Sequence, residues 1–282
     1  YKQSDISNPV MLEGGVFALY ANWRVHLIGL PGNPAGIDTM SLDVSPHHYR
    51  GLLASGEDVY LVYRERITEF IGGRGMSVSH YSVALIDVDA KGGPVVHEEV
   101  RVPGLPMGMS EDGSLMFTLS SWFNGGQNEW DQALNVVSFP DGIPTVTWAV
   151  EMKRDEFRLL GDTAVISRIL TDKAIDEEGT EWEFMTTFVI HVDLVRQSVK
   201  WVYVIDGPAA LMYAGEDLVF MSRPGIEGAI LIDLLDHAGT AISCIPLPWY
   251  GYPVEREGNT FHVPLGNMGV QTFWIKEIQL PW

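Results

Sequence analysis

Arg64 and Arg223 each stand eight residues beyond a glycine in a turn-like segment, Gly56 and Gly215, and Arg168 stands seven beyond Gly161. A guanidinium is a planar fork of donors that matches carboxylate or phosphate, so arginines recurring at one place in a repeat could line an anion-binding rim. Arg50 and Arg158, expected on the innermost strands of their units, extend the candidate ligand-binding set. The equivalent positions elsewhere hold Asn22, Ser121 and Gly266, so the ring would be incomplete. The competing expectation is structural, because 37 acidic residues are available to pair with 18 basic ones.

Other chemistry is thinly represented. His26, His47, His48, His80, His191 and His262 are scattered through the chain, and none has the short spacing of a metal-ligand pair. Adjacent His47 and His48 would point to opposite sides of a strand, and His191, in VIHVDL, reads as a packed strand residue. TDKAIDEEGTEWE (171–183) and NGGQNEWD (124–131) carry oxygen ligands but not the alternation of an EF-hand loop. GGRGMS (72–77) lacks both the dinucleotide fingerprint and the Lys-Ser/Thr of a P-loop. No G-x-S-x-G elbow or H-E-x-x-H motif occurs. Cys244 is the single cysteine, which excludes an internal disulfide and a Cys-x-x-Cys site; between Ser243 and Ile245 it reads as a small core residue. No catalytic residue, cofactor or metal is named by these patterns.

What positions these residues is a repeat. LEGGVFALYA (12–21), SGEDVYLVYR (55–64), SEDGSLMFTLS (110–120), LLGDTAVISR (159–168), AGEDLVFMSR (214–223) and REGNTFHVPL (256–265) each place a polar glycine turn before an apolar strand. From Gly14 through Gly56, Gly113, Gly161 and Gly215 to Gly258 the spacings are 42, 57, 48, 54 and 43, against about 40–50 residues for one four-stranded propeller blade. Second elements follow, expected at TMSLDV (39–44), SVALIDVD (82–89), ALNVVSF (133–139), TFVIHVDL (187–194), GAILIDLL (228–235) and TFWIKEI (272–278). PGLPMGMSEDGSLMFTLS with YSVALIDVDAKGGPVVHEEVRVPG resembles the blade repeat of secreted YVTN-type propellers. HVDLVRQSVKWVYVIDG, with Trp201, and ALNVVSFPDGIPTVTWAVEM, with Trp148, are similar to blades of PQQ-like propellers. The resemblance implies an all-β propeller; its families include enzymes, assembly scaffolds and binding modules.

The expected architecture is therefore one domain, residues 1–282, of six four-stranded blades. The last unit lacks room for a fourth strand, and residues 1–7 pairing beside 272–278 would close the ring. The competing expectation is a piece of a larger propeller with a blade upstream. Length, 46% hydrophobic residues, 29 glycines and 16 prolines suit many strands joined by many turns.

A net charge of −19 repels phosphate backbones and anionic lipid, so nucleic acid is not an expected partner. No apolar run approaches the about 20 residues of a membrane-spanning helix. The first residues, YKQSD, lack Met, and with the family resemblance this gives an expected extracellular, periplasmic or cell-surface location. Long segments joining second and third strands, 64–81, 121–132 and 169–185, mark one face for binding, since a rigid scaffold tolerates length where it recognises ligands. The expected function is a scaffold binding a protein partner or a small anionic ligand through that face. The alternative is a metal- or cofactor-assisted hydrolase or oxidoreductase with its site at the central funnel.

Overall fold

The computed structural model describes residues 9–12, 14–21, 24–32, 38–43, 49–56, 58–71, 73–88, 93–124, 129–153, 155–175, 178–215, 217–225, 230–247, 255–257, 260–264 and 270–274. Among them the chain is all-β apart from one 3-10 turn, Pro140–Gly142. The strands form antiparallel sheets in chain order, each strand pairing with its sequence neighbours. Four sheets have four strands: Val10–Met11 to Thr39–Asp43, Leu105–Met109 to Thr145–Met152, Glu156–Leu160 to Ser198–Asp206, and Ala210–Ala214 to Ala241–Leu247. The second sheet, from Tyr49–Ser55, has its outer strand broken into Val95–Val96 and Val100–Val102, both on Arg74–Asp87. The sixth, Glu255–Glu257, Thr260–Pro264 and Val270–Trp274, shows three strands among the described residues. Residues 1–7 and Gly258 lie outside them, as do 275–278.

The chain divides into two compact units, Tyr1–Lys153 and Arg154–Trp282. In the first, alternation along VYLVY decides the packing. Val59, Leu61 and Tyr63 join Val16, Ala18, Val25 and Leu27 of the first sheet, while Val62, with Val83 and Val102, joins Met116 and Val137 of the third. A strand that is apolar at every position is buried on both faces, so the second sheet is held between its neighbours. In the second unit Val165, Val189 and Ile205 of the fourth sheet pack on Leu211, Val219, Met221 and Leu235 of the fifth. Trp201 completes that contact. Its Nε1 donates to the His237 carbonyl at 2.8 Å, and a Cβ at Gly239 (φ +76°) would stand 2.6 Å from its ring.

Gly14, Gly56, Gly113, Gly161 and Gly215 fall where the repeat places them, at the turns between first and second strands. In the third sheet Asp112 accepts from Ser110 Oγ at 2.6 Å and from Ser114 N and Oγ at 3.0 and 2.8 Å, and these bonds lower its pKa to about 2. One expected element moves. TMSLD is the fourth strand of the first sheet, because Val16–Ala21 turns back within two residues into Arg24–Gly29. The repeat also extends to irregularities. The first strand bulges at Arg50, Met107 and Met212 in the second, third and fifth sheets, and the fourth at Thr147, Lys200 and Ile242 in the third, fourth and fifth.

Passage from one sheet to the next uses glycines at positive φ, Gly104 (+97°) and Gly207 (+94°). A Cβ on Gly104 would stand 2.5 Å from the Leu119 carbonyl oxygen, whereas one on Gly207 would meet nothing within 4 Å. Gly207→Ala is therefore expected to cost about 1–2 kcal/mol from backbone strain alone, and Gly104→Ala at least about 3 kcal/mol because strain and clash add. Equilibrium urea unfolding of the two variants checks this; equal losses would contradict the close approach at Gly104.

Candidate functional site

The segments expected to be long loops are regular β-hairpins instead. Asp58–Ile71 and Arg74–Asp87 pair along their length through Ile71↔Arg74, Thr163–Ile175 and Glu181–Asp193 through Ile175↔Glu181, and Leu115–Asn124 and Glu129–Ser138 through Asn124↔Glu129. The cause is local sequence: ITEFI, LSSWFN and EWEFMTTF are rich in β-branched and aromatic residues, which favour a pleated ribbon over an irregular loop. All three run past the reach of the flanking strands. In the fourth sheet, for example, the first strand pairs only with Thr163–Ser167 and the fourth only with Thr187–Asp193.

A ribbon outside the sheet core exposes both faces. Phe70, Ile175 and Trp182 are large apolar side chains with 81%, 73% and 60% of their surface open, and Trp122, Trp130 and Phe184 are also exposed. Within the third hairpin Phe123 and Trp130 meet edge to face with centroids 5.8 Å apart, and Asn124 donates to Asp131 at 2.9 Å. Its base is pinned by a polar network: Asn135 Nδ2 donates to Ser120 Oγ at 3.0 Å, Thr118 Oγ1 at 3.2 Å and the Pro103 carbonyl at 3.3 Å, which Thr118 Oγ1 also reaches. Asn135 and Thr118 are buried, so these bonds fix the exit angle of the ribbon. In the fourth sheet Thr187 Oγ1 does the equivalent work, donating to the Gly207 carbonyl and accepting from Ala209 N, both at 2.8 Å.

The candidate arginines have different surroundings. Arg168 Nε and Nη2 both lie 2.8 Å from Asp155 Oδ2, a carboxylate with a side chain only 2% exposed. Arg223 grips Asp233 by Nε at 2.5 Å and Nη2 at 3.3 Å; Asp233 is buried, directly across from Met221 and diagonal to Arg223. That carboxylate raises the Arg223 pKa. Arg158 is exposed, with Nη1 donating to the Phe157 carbonyl at 3.2 Å. Arg50 is exposed at its bulge, and Arg64, half-buried opposite Tyr81, is like it in making no ion pair among the described residues. Among the described residues two of the five candidates, Arg168 and Arg223, are thus neutralised by a carboxylate, while Arg50, Arg64 and Arg158 are not.

Cys244 is exposed rather than in the core. It stands across from Asp233, and desolvation, with the neighbouring carboxylate, pushes its thiol up. The same carboxylate reinforces burial in raising Tyr203. The described histidines are dispersed: His26 Nδ1 is 2.8 Å from Ser41 Oγ, His80 Nε2 is 2.9 Å from Glu69, and His262 Nδ1 is 3.0 Å from Thr272 Oγ1. His191 is buried with both ring nitrogens unpartnered, edge-on to Trp201 at 5.1 Å; desolvation first, then Lys200, lowers its pKa against an opposing effect of Asp193. Among the described residues no three His, Cys, Asp or Glu gather as for a metal. His47 and His48 lie outside the described residues, as do parts of 72–77, 124–131 and 171–183.

No protein-family model matches the sequence, and no curated protein sequence matches it. Among solved structures, the β-propeller domain of the Trilobed protease from Pyrococcus furiosus is similar, at 8% identity over 96% of this chain and 82% of that one, with a TM-score of 0.49. BamB from Moraxella catarrhalis is similar at 12% identity over 95% and 84%, TM-score 0.33. MPT-4, a mannose phosphorylase from Leishmania mexicana, is similar at 9% identity over 86% and 83%, TM-score 0.31. The chain's own succession of antiparallel sheets, packed face to face within each unit, is the arrangement that the blade repeat of the sequence predicts.

The arginines can be separated by stability. Arg223→Leu leaves the Asp233 carboxylate buried without its partner and is expected to cost about 2–4 kcal/mol, most of it recovered in Arg223→Leu/Asp233→Leu. Arg64→Gln is expected to stay within about 0.5 kcal/mol of the parent. Chemical denaturation of the three variants decides, and a neutral Arg223→Leu would remove the structural role.

Proposed function

We propose that this chain is a secreted or surface-exposed propeller that binds a protein partner through its long hairpins, those of the second and third sheets in the first unit and that of the fourth sheet in the second, without catalysis. The single observation that carries the reading is the exposure of large apolar side chains on regular, anchored ribbons: Phe70, Trp122, Trp130, Ile175, Trp182 and Phe184. Aromatic side chains exposed to water on rigid elements are suited to become buried anchors in an interface. Arg64, with no carboxylate partner among the described residues, suits an anionic group on such a partner. Helices long and apolar enough to cross a membrane are absent from the described residues.

In this reading residues 1–282 form one domain of six blades, with residues 1–7 supplying the fourth strand of the last sheet beside residues 272–278. Removing residues 1–7 should then accelerate amide exchange in Val270–Trp274 by about tenfold or more while leaving Leu115–Asn124 unchanged. Unaltered exchange in Val270–Trp274 would refute the closing strand.

The binding edge is tested with a photo-crosslinking residue at Phe70, Trp122 or Ile175 and, as controls on the other edge of the sheets, at Glu111 or His237. In the cells that make the protein, the hairpin positions should yield defined protein adducts and the controls none. Equal labelling from both edges, or none from any hairpin, would overturn the scaffold reading.

A further inference from the structure

The two faces of the fourth-sheet hairpin differ in chemistry. Register places Ile169, Thr171, Lys173 and Ile175 on one face with Met185, Glu183 and Glu181, and Leu170, Asp172 and Ala174 on the other with Thr186, Phe184 and Trp182. On the first face Lys173 is committed: its Nζ lies 2.5 Å from Glu181 and 3.2 Å from Glu183, and both carboxylates raise its pKa. The second face is an apolar stripe with Trp182 60%, Phe184 49% and Leu170 43% exposed, and Asp172 stands directly across from Phe184.

The sequence of the hairpin's end is predominantly acidic. Residues 171–183 hold six acidic residues, Asp172, Asp176, Glu177, Glu178, Glu181 and Glu183, against Lys173 alone. A partner that covers the stripe must supply apolar side chains for Trp182, Phe184 and Leu170. It must also carry positive charge to approach Asp172, and a cation over either aromatic ring gains further. An acidic or neutral apolar segment satisfies the stripe and leaves Asp172 desolvated and unpaired, which is costly.

We propose that this hairpin recognises a basic amphipathic polypeptide segment of another protein, with Lys or Arg interleaved among apolar residues, through Trp182, Phe184, Leu170 and Asp172. The inference rests on the scaffold reading and names the partner class for one of its hairpins. Trp182 and Phe184 are two apart on one strand, roughly 7 Å, so a partner repeating apolar and basic side chains at that interval matches the face.

The test uses a fluorescent synthetic peptide of alternating Lys and Leu, with Glu/Leu and Lys/Ser alternations as controls, titrated against the whole chain. The Lys/Leu peptide should bind, weaken as salt is raised, and bind at least about tenfold more weakly to Trp182→Ser/Phe184→Ser and several-fold more weakly to Asp172→Asn. Both variants should keep the parent's thermal midpoint, because the altered side chains are exposed. Several results would each overturn the proposal: no binding of Lys/Leu, equal binding of Glu/Leu or Lys/Ser, unchanged binding to the variants, or Trp182-dependent dimers by light scattering, which would assign the face to a second copy. Defined adducts from Phe70 or Trp122 alongside any of these would leave the scaffold reading standing; loss of adducts from every hairpin would remove both.

Discussion

Burial of a strand on both of its faces is the constraint from which the rest follows. In VYLVY of the second sheet the side chains alternate between two apolar surfaces, Val59, Leu61 and Tyr63 toward the first sheet and Val62 toward the third. Neither surface can be left to water. Burying one Val or Leu is worth roughly 1.5–3 kcal/mol, and here each residue in the run makes that demand on one side or the other. A sheet of this kind is stable only between partners, so in the first unit it stacks face to face between the first and third sheets and its hydrogen-bonding edges point elsewhere. The free direction is along the strands, which is why the hairpins can lengthen beyond the stack without disturbing it.

Lengthening a ribbon out of the core still requires a fixed base. In the third sheet the Pro103 carbonyl, left over at the passage between sheets, is satisfied by Thr118 and Asn135, side chains from the second and third strands at the foot of the hairpin. In the fourth sheet Thr187, on the third strand, closes on the Gly207 carbonyl. The same bonds serve two purposes: they satisfy a buried backbone group and they set the direction of the projecting ribbon. Each carbonyl lies at a positive-φ glycine, Pro103 next to Gly104 and Gly207 its own, and at Gly104 the chain also passes against the backbone of Leu119 and Ser120.

The repeat was legible in the sequence because its signal is local: a glycine turn followed by an apolar run marks the first two strands of a unit wherever it occurs. Other features depend on pairing, which no single segment reveals. TMSLD carries the same pattern as a third strand and becomes a fourth because RVHLIG lies nearer the turn. The hairpins look like loops in sequence because their charged and polar residues mask strand propensity; two-sided exposure permits polar residues at any position of a ribbon, so alternation fades there. Among the candidate arginines, a position counted from a glycine is visible in sequence, but the carboxylate that meets it is not. Asp155, immediately before the neighbouring strand Glu156–Leu160, meets Arg168, and Asp233 faces Arg223 diagonally, and both partners are set by register.

The same reasoning explains why the exposed aromatics, rather than the arginines, direct the functional reading. An arginine already paired with a buried carboxylate, as Arg223 is with Asp233, could meet a ligand only by leaving that carboxylate desolvated, and the ligand would have to exceed what is lost. Trp182 and Phe184 are exposed apolar surface: water leaves their faces at a gain, and the ribbon that holds them is already ordered, so little conformational entropy is lost on contact. Lys173, bonded across the opposite face to Glu181 and Glu183, keeps the one cation of residues 171–183 turned away from the stripe. Among the paired residues of that hairpin end, what remains on the aromatic side is apolar surface with the carboxylate of Asp172, a combination that selects its partner by charge while drawing its affinity from burial.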